Sequence, residues 1–314
     1  MKKIVVTGAL GHIGSRLIHE LPGNFPDIQI VMIDNMAGQR YCSLFSLPEE
    51  GNYSFIEADV LEYDMVSLIE GADAVIQLAA ITNAAGSFEQ RKVVEYNNFN
   101  ATKRVAEACM KARVGMIHLS STSVYGSQAE VVDEDCSESE LQPQSPYAET
   151  KIKEEKFIKK LSQENDLKAT ICRFGTIFGT STGMRFHTAV NKFCWQAVLG
   201  QPLTVWTTAY NQKRPYLDLS DAIRAITFIM KNGIFDGQIY NVLTINATVN
   251  NIVDIIKKYI PMVKLEFVDA EIMNQLSYNV SCEKLCNKGF EIKGNIETGI
   301  SDTIQLLRNA NRKY

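Results

Sequence analysis

The sequence predicts a doubly wound parallel α/β fold, and three observations carry that reading. Short β-branched runs alternate with amphipathic helical stretches through the first half; several of these runs are apolar throughout; and a glycine-spaced turn follows the first of them. Fully apolar strands separated by helices belong to a parallel sheet covered on both faces.

In order, "KIVVT", "IQIVMID", "YSFIEAD", "DAVIQLAA", "GMIHLSS" and "KATICRF" read as six strands, with helical patterns such as "HIGSRLIHEL", "MVSLIEG" and "FNATKRVAEACMKA" between them. After Gly175 the rhythm changes. A loop "GTSTGMR", a helix "FHTAVNKFCWQAVLG", a strand "PLTVW" and a loop "TTAYNQKRPY" precede a helix "LSDAIRAITFIMKN" and a strand "GQIYNVL". Helices at "TVNNIVDIIKKYI" and "ETGISDTIQLLRNA" close the chain. The expected division is a first lobe of residues 1–175 with a returning segment at about 213–245, and a smaller C-terminal α/β lobe of 176–212 and 246–314. No internal repeat or low-complexity segment interrupts this order.

Composition narrows the classes of function. The 314 residues carry a net charge of −4 and no long basic run, which argues against nucleic acid as a partner. The lysines of "KIKEEKFIKK" alternate with glutamates, as on a solvated helix face. No stretch approaches the roughly 18 apolar residues of a membrane span. "MKKIVVTGAL" reads as a first strand, not as a leader, because Thr7 and Gly8 interrupt its apolar run. Seven scattered cysteines fit a reducing cytoplasm, the expected location. Cys282 and Cys286 lie near no histidine, and His12, His19, His118 and His187 are dispersed, so no metal site is expected.

"VVTGALGHIG" joins the first strand to the first helix, with Gly8, Gly11 and Gly14 at three-residue spacing. Glycines there let backbone amides approach a pyrophosphate at a helix N-terminus. The second strand ends at Asp34, about twenty residues beyond the last glycine, where a ribose would lie. A carboxylate at that point accepts from both ribose hydroxyls and repels a 2′-phosphate, which favours NAD over NADP. Asp59, ending the third strand, is offered to an adenine edge.

"SPYAETK" marks a helix start, with Ser145 as cap and Pro146 at the first helical position. Tyr147 and Lys151, four apart, share a face of that helix. A phenol is a poor base at neutral pH, and an ammonium beside it favours the phenolate, so the pair can shuttle the proton of an alcohol.

With the glycines, Asp34, "QLAA", "NNFNAT", "SSTSVYG", the Tyr-x-x-x-Lys pair, "RFGTIFG" and "RPYLDLSDA" in this order, the chain resembles the extended short-chain dehydrogenase/reductases over essentially its whole length. Within them it is similar to the nucleotide-sugar epimerases and dehydratases, of the UDP-glucose 4-epimerase kind. The resemblance implies a Rossmann-type NAD lobe, a smaller substrate lobe and a homodimer built on the helices that carry Tyr147 and follow Asn98. It implies Tyr147 as acid/base, Lys151 as its partner on the nicotinamide ribose, and Ser121 on the reacting sugar oxygen. The cofactor is expected on Gly8, Gly11, His12, Ile13, Gly14, Asp34, Asn35, Asp59, Val60, Leu78, Ala79, Ala80, Asn98, Tyr147, Lys151 and Phe174. A nucleotide-diphosphate sugar is expected on Ser121, Thr122, Ser123, Thr176, Arg185 and Arg214, whereas Arg173 reads as structural.

Several positions depart from the family pattern. Thr122 and Ser123 stand where 4,6-dehydratases commonly carry Asp-Glu, and neither can act as a carboxylic acid or carboxylate base, so epimerisation or net oxidoreduction is favoured. Gln77 replaces the usual His, Thr176 a common Asn, and Leu276 falls near the position of a second phosphate-binding Arg. Arg185, Lys213 or Arg214 could take over that phosphate. Trp195 sits in an apolar pattern and reads as core; Trp206 lies at a strand end and is open to either a core or a base-stacking role. The alternatives are a dehydratase (4,6 or 5,6), a net C4 dehydrogenase or ketoreductase, a reductase of small ketones, and a non-catalytic dinucleotide sensor. A sensor has no need of Ser121, Tyr147 and Lys151 together, while Asp34 and Arg214 argue for NAD and a phosphorylated substrate.

Overall fold

The computed structural model describes residues 1–84, 86–126, 131–269 and 277–310. Leu276 lies outside them. In chain order the elements are β1 (Lys3–Thr7), α1 (His12–Asn24), β2 (Gln29–Asp34), β3 (Asn52–Glu57), α2 (Met65–Ile69), β4 (Ala74–Gln77), α3 (Arg91–Ala112), β5 (Gly115–Ser121), β6 (Val131–Val132), α4 (Pro146–Glu164), β7 (Ala169–Phe174) and β8 (Thr176–Phe178). There follow α5 (Ala189–Val198), β9 (Leu203–Trp206), β10 (Lys213–Asp218), α6 (Leu219–Lys231), β11 (Ile239–Val242), β12 (Ile245–Thr248), α7 (Val249–Tyr259), β13 (Leu265–Val268), β14 (Asn279–Val280), α8 (Glu283–Cys286) and α9 (Ile296–Leu307).

Seven strands form one sheet in the order β11, β7, β5, β4, β1, β2, β3, with every pairing parallel. Alternate residues of these strands feed two cores, as the two-residue pleat requires. Ile4, Val6, Ile30, Met32 and Ile117 pack with Leu17, Ile18 and Leu21 of α1 and with Ile223, Ile226 and Ile229 of α6. Val5, Val31, Ile33 and Met116 pack on the other face with Ala101, Val105 and Cys109 of α3 and Ile158 of α4. The sheet is therefore covered on both sides, which accounts for its fully apolar strands.

The chain leaves this sheet after β7 and returns with α6 and β11. Strand β10 belongs instead to a three-stranded sheet with β8 and β12. That small sheet and the pair β9–β13 carry a third core, in which Val190 and Cys194 of α5, Ile252 and Ile256 of α7 and Ile300 of α9 meet. The two-residue strands β6 and β14, which also pair, are too short to leave a periodic signal in the sequence.

Strand order reverses between β1 and β4: the chain moves outward from β1 to β2 on one side, and β4 lies on the other. In an open parallel sheet this switch point, at the C-terminal ends of the strands, is where a crevice opens.

Candidate active site

The crevice is a cleft of about 440 Å³ between the β1 and β4 ends, the start of α4 and the second lobe. Its floor is the glycine turn. Gly8 has φ +60°, and a Cβ there would come within 2.7 Å of the Ala79 nitrogen. A Cβ on Gly14 would lie 2.6 Å from the carbonyl oxygens of Ala9 and Gly8. Both positions thus exclude a side chain, and the α1 N-terminus faces the cleft bare. Gly11 is less crowded: a Cβ there would lie 3.3 Å from the Gly8 carbonyl oxygen, with guanidinium nitrogens of Arg185 and Arg40 each 4.0 Å away. A bare helix N-terminus beneath two arginines fits the pyrophosphate of a dinucleotide.

The turn is strapped from both flanks. Asp34 accepts the backbone N–H groups of Leu10 (3.1 Å) and Met36 (3.0 Å). Thr7 Oγ1 donates to Gln77 Oε1 (2.5 Å) and accepts from the amides of Leu78 and Ala79. Gln77 in turn donates to the Ala79 carbonyl (3.1 Å), so this departure from the family pattern closes the turn after β4.

Placement of the expected cofactor residues divides in two. Gly8, Gly11, His12, Ile13, Gly14, Leu78, Ala79, Ala80 and Phe174 line the cleft, with Tyr147 and Lys151. Asp34, Asn35, Asp59, Val60 and Asn98 lie outside its lining. Asn35 donates to Asp59 (2.9 Å) at the C-terminal ends of β2 and β3. Asn98, buried, clamps both the N–H and the carbonyl of Ile81, tying α3 to the loop after β4.

Helix α4 begins as its sequence requires, with Ser145 Oγ accepting the Ala148 N–H at 3.2 Å and Pro146 in the first turn. Tyr147 and Lys151 therefore face the cleft together, with Lys151 Nζ 5.7 Å from the Tyr147 ring centroid. Burial pushes the Tyr147 phenol above its ordinary pKa, while Lys151 pulls it down. Lys151 Nζ donates to Glu154 Oε2 at 2.8 Å, and the same oxygen lies 3.0 Å from His118 Nε2. Burial opposes the Lys151 charge, but Glu154 more than restores it and the pKa rises. Burial likewise opposes the Glu154 carboxylate, yet Lys151 and His118 hold it at about 2.

At the end of β5, Ser121 Oγ accepts from the Ser123 amide (3.1 Å) and hydroxyl (2.9 Å). Thr122 is buried and turned inward onto the Phe174 carbonyl (3.2 Å). Among the described residues no carboxylate lines the cleft.

On the far wall stand Thr176, Arg185 and Arg214, together with residues that sequence reasoning did not single out: His187, Lys192 and Tyr278. Arg214 lies over the Tyr278 ring, 5.0 Å from its centroid. Lys213, the remaining candidate for a phosphate, is exposed and does not line the cleft. Arg185 sits nearer the glycine turn than a purely sugar-side residue would; burial and Arg40 lower its pKa to about 10. Burial and the same two arginines hold His187 near 4. Trp206 lines the cleft, whereas Trp195 packs on Phe186 at 5.0 Å in the third core. Arg173 is structural: it makes two bonds to Glu155, at 2.9 and 2.6 Å, beneath the Tyr125 ring. Among the described residues no cluster suits a metal ion, and no helix is long and apolar enough to cross a membrane.

Fold and cleft together are those of an NAD-dependent enzyme. The chain belongs to the NAD dependent epimerase/dehydratase family, whose model matches residues 4–242. It is 31% identical over 249 residues to an uncharacterised UDP-glucose epimerase of Bacillus subtilis, covering 76% of each chain. It is 28% identical to a trifunctional UDP-glucose 4,6-dehydratase, 3,5-epimerase and 4-keto-rhamnose reductase of Arabidopsis thaliana, where the match covers 96% of this chain but only 46% of the plant protein. Among solved structures, the UDP-glucuronic acid 4-epimerase of Bacillus cereus, in complex with UDP-glucuronic acid and NAD, superposes with a TM-score of 0.90 at 24% identity, covering 98% and 99% of the two chains.

Proposed function

We propose that the protein is a nucleotide-sugar 4-epimerase working through a transient 4-keto sugar. The observation that carries this reading is the convergence of Ser121, Tyr147 and Lys151 beside the glycine cradle, in a cleft with no carboxylate among its described lining residues. NAD, held by the glycine turn with Arg40 and Arg185 over it, supplies a hydride acceptor when bound. Ser121 donates to the reacting hydroxyl oxygen as Tyr147, as phenolate, takes its proton, and the carbon becomes a ketone. The same proton returns from Tyr147 when hydride comes back to the opposite face, so the sugar changes configuration with no net oxidation. Lys151 supplies the positive charge that favours the phenolate.

The reading assigns the cofactor to the large-sheet lobe and the sugar nucleotide to the second lobe, with Thr176, Arg214 and Trp206 on its wall. A 4,6-elimination needs an acid and a base flanking C5 and C6; Thr122 and Ser123 offer neither. A homodimer through α3 and α4 is part of the proposal, supported by the exposure of Val93 and Tyr96 on α3. A monomer in light scattering removes that part. So is residence in the cytoplasm.

The deciding experiment has two stages. Purified protein is denatured without added cofactor and the released nucleotide quantified; the expectation is near-stoichiometric NAD or NADH, and an empty protein points to a dehydrogenase or reductase that exchanges its cofactor. UDP- and dTDP-hexoses are then incubated with the enzyme and followed by NMR. A C4 epimer without net NADH supports the reading, and a 4-keto-6-deoxy product overturns it.

A further inference from the structure

Tyr147, Lys151 and Glu154 form a single stripe on α4 at four- and three-residue spacing, running from the cleft to the buried side of the helix. Lys151 is 3% exposed, Glu154 0% and, opposite them on β5, His118 1%. One carboxylate oxygen, Glu154 Oε2, meets both the Lys151 ammonium (2.8 Å) and the His118 imidazole (3.0 Å). The other, Oε1, is buried and finds no hydrogen-bond partner among the described residues, and His118, though Nε2 is close to Oε2, makes no well-aligned hydrogen bond through either ring nitrogen. An apolar side chain fills such a position at less cost than a half-satisfied carboxylate. The neighbouring ion pair of Glu155 with Arg173 already fastens α4 to β7. Glu154 is therefore not needed to anchor the helix.

We propose that Glu154, backed by His118, is a positioning residue that holds the Lys151 ammonium on the sheet side of α4 and offsets the charge it presents to Tyr147. The idea rests on Tyr147 being the acid/base group of the proposed reaction. The charged and titratable groups facing this cluster are His118 from β5, Glu155 from α4 itself, Arg173 from β7 with its charge spent on Glu155, and Arg185 from the loop before α5. Of these, Lys151 and Arg185 favour the phenolate while Glu154 opposes it. The offset keeps the proton affinity of Tyr147 from falling far below that of the sugar hydroxyl, so that the phenolate that takes the proton remains basic enough to do so. A group that must take a proton and give it back in one turnover works best when the two affinities are close.

The test needs no turnover. The ionisation of Tyr147 is read by ultraviolet difference titration as wild type minus Y147F, and again as E154Q minus E154Q/Y147F. Losing a charge this near should lower the pH of Tyr147 ionisation by about one unit or more. E154D, which keeps the charge, should return it toward the wild-type position. E154L, which leaves no polar atom to bury, carries the same expectation as E154Q should the amide fail to fold. An unchanged or raised titration in the neutral variants overturns the proposal. Because the readout is independent of any sugar, a failure of the epimerase reading in the NMR assay leaves this result to stand or fall by itself.

Discussion

The hydroxyl of Thr122 donates to the Phe174 carbonyl at 3.2 Å, across the junction of β5 and β7. The residue that follows Ser121 thus lines the cleft with its hydroxyl already engaged, and it carries no carboxyl group to serve an elimination. The product formed from a nucleotide hexose should therefore have the same mass as its substrate, and mass spectrometry showing loss of a water would contradict this. Thr122→Asp should bury a carboxylate against that carbonyl and destabilise the fold by about 3 kcal/mol or more, read by urea unfolding, without creating elimination.

Tyr147→Phe removes the proposed proton acceptor but no part of the glycine turn. Turnover should fall by about 100- to 10,000-fold while bound NAD co-purifies as before. Parallel loss of both would mean that the phenol serves cofactor binding first.

In the proposed cofactor site Asp34 has two tasks, because its carboxylate also accepts the amides of Leu10 and Met36. Asp34→Ala should cut the preference for NAD over NADP by about tenfold or more and also weaken binding of NAD itself, since the turn loses a strap. Asp34→Asn keeps one acceptor and should spare more of the affinity than of the selectivity. Competitive titration of the two dinucleotides separates the effects; an unaltered ratio in both variants places ribose recognition elsewhere.

Much of this was legible in the sequence because the signals are local. Gly8, Gly11 and Gly14 state a backbone requirement, and Ser145 with Pro146 states a helix start that fixes where Tyr147 and Lys151 point. The boundary of the second lobe was less legible. Strand β10 joins β8 and β12, a pairing between distant segments that no periodicity reports. Arg40 and Arg185 come together over Gly11 from different lobes, and His118 meets Glu154 across a helix–sheet contact. The spacing of Glu154 from Lys151 was visible, but in a helix rich in lysine and glutamate it looked like a solvated face; burial alone distinguishes it.

The Glu155–Arg173 pair, buried and joined by Ser120 Oγ at 2.5 Å, holds α4 against β5 and β7. Arg173→Ala leaves an unpaired buried carboxylate and should cost about 3–5 kcal/mol in urea unfolding. Replacing both partners by apolar residues should recover much of the loss. A single variant as stable as wild type would show that Glu155 takes up a proton without penalty.

His12 gives the stability a pH dependence distinct from that of the carboxylates. It is buried at the start of α1 with Nε2 3.0 Å from the Gly179 carbonyl, and burial outweighs that bond to lower its pKa from 6.5 to about 4. Below 6.5 the unfolded chain binds a proton that the folded chain refuses until about 4, so stability falls as pH drops through that window. The loss amounts to about 3–3.5 kcal/mol at most. His118 and His187, also shifted down, act in the same direction. Glu154, held at about 2, adds its loss lower, as pH falls below the ordinary 4.5. His12→Gln should accordingly flatten the decline of Tm between pH 6.5 and 4 and leave the steeper fall below it intact. Equal slopes in wild type and variant would mean that the folded protein accommodates a charged imidazole at the glycine turn, an outcome that would also weaken the case for a strongly cationic site there.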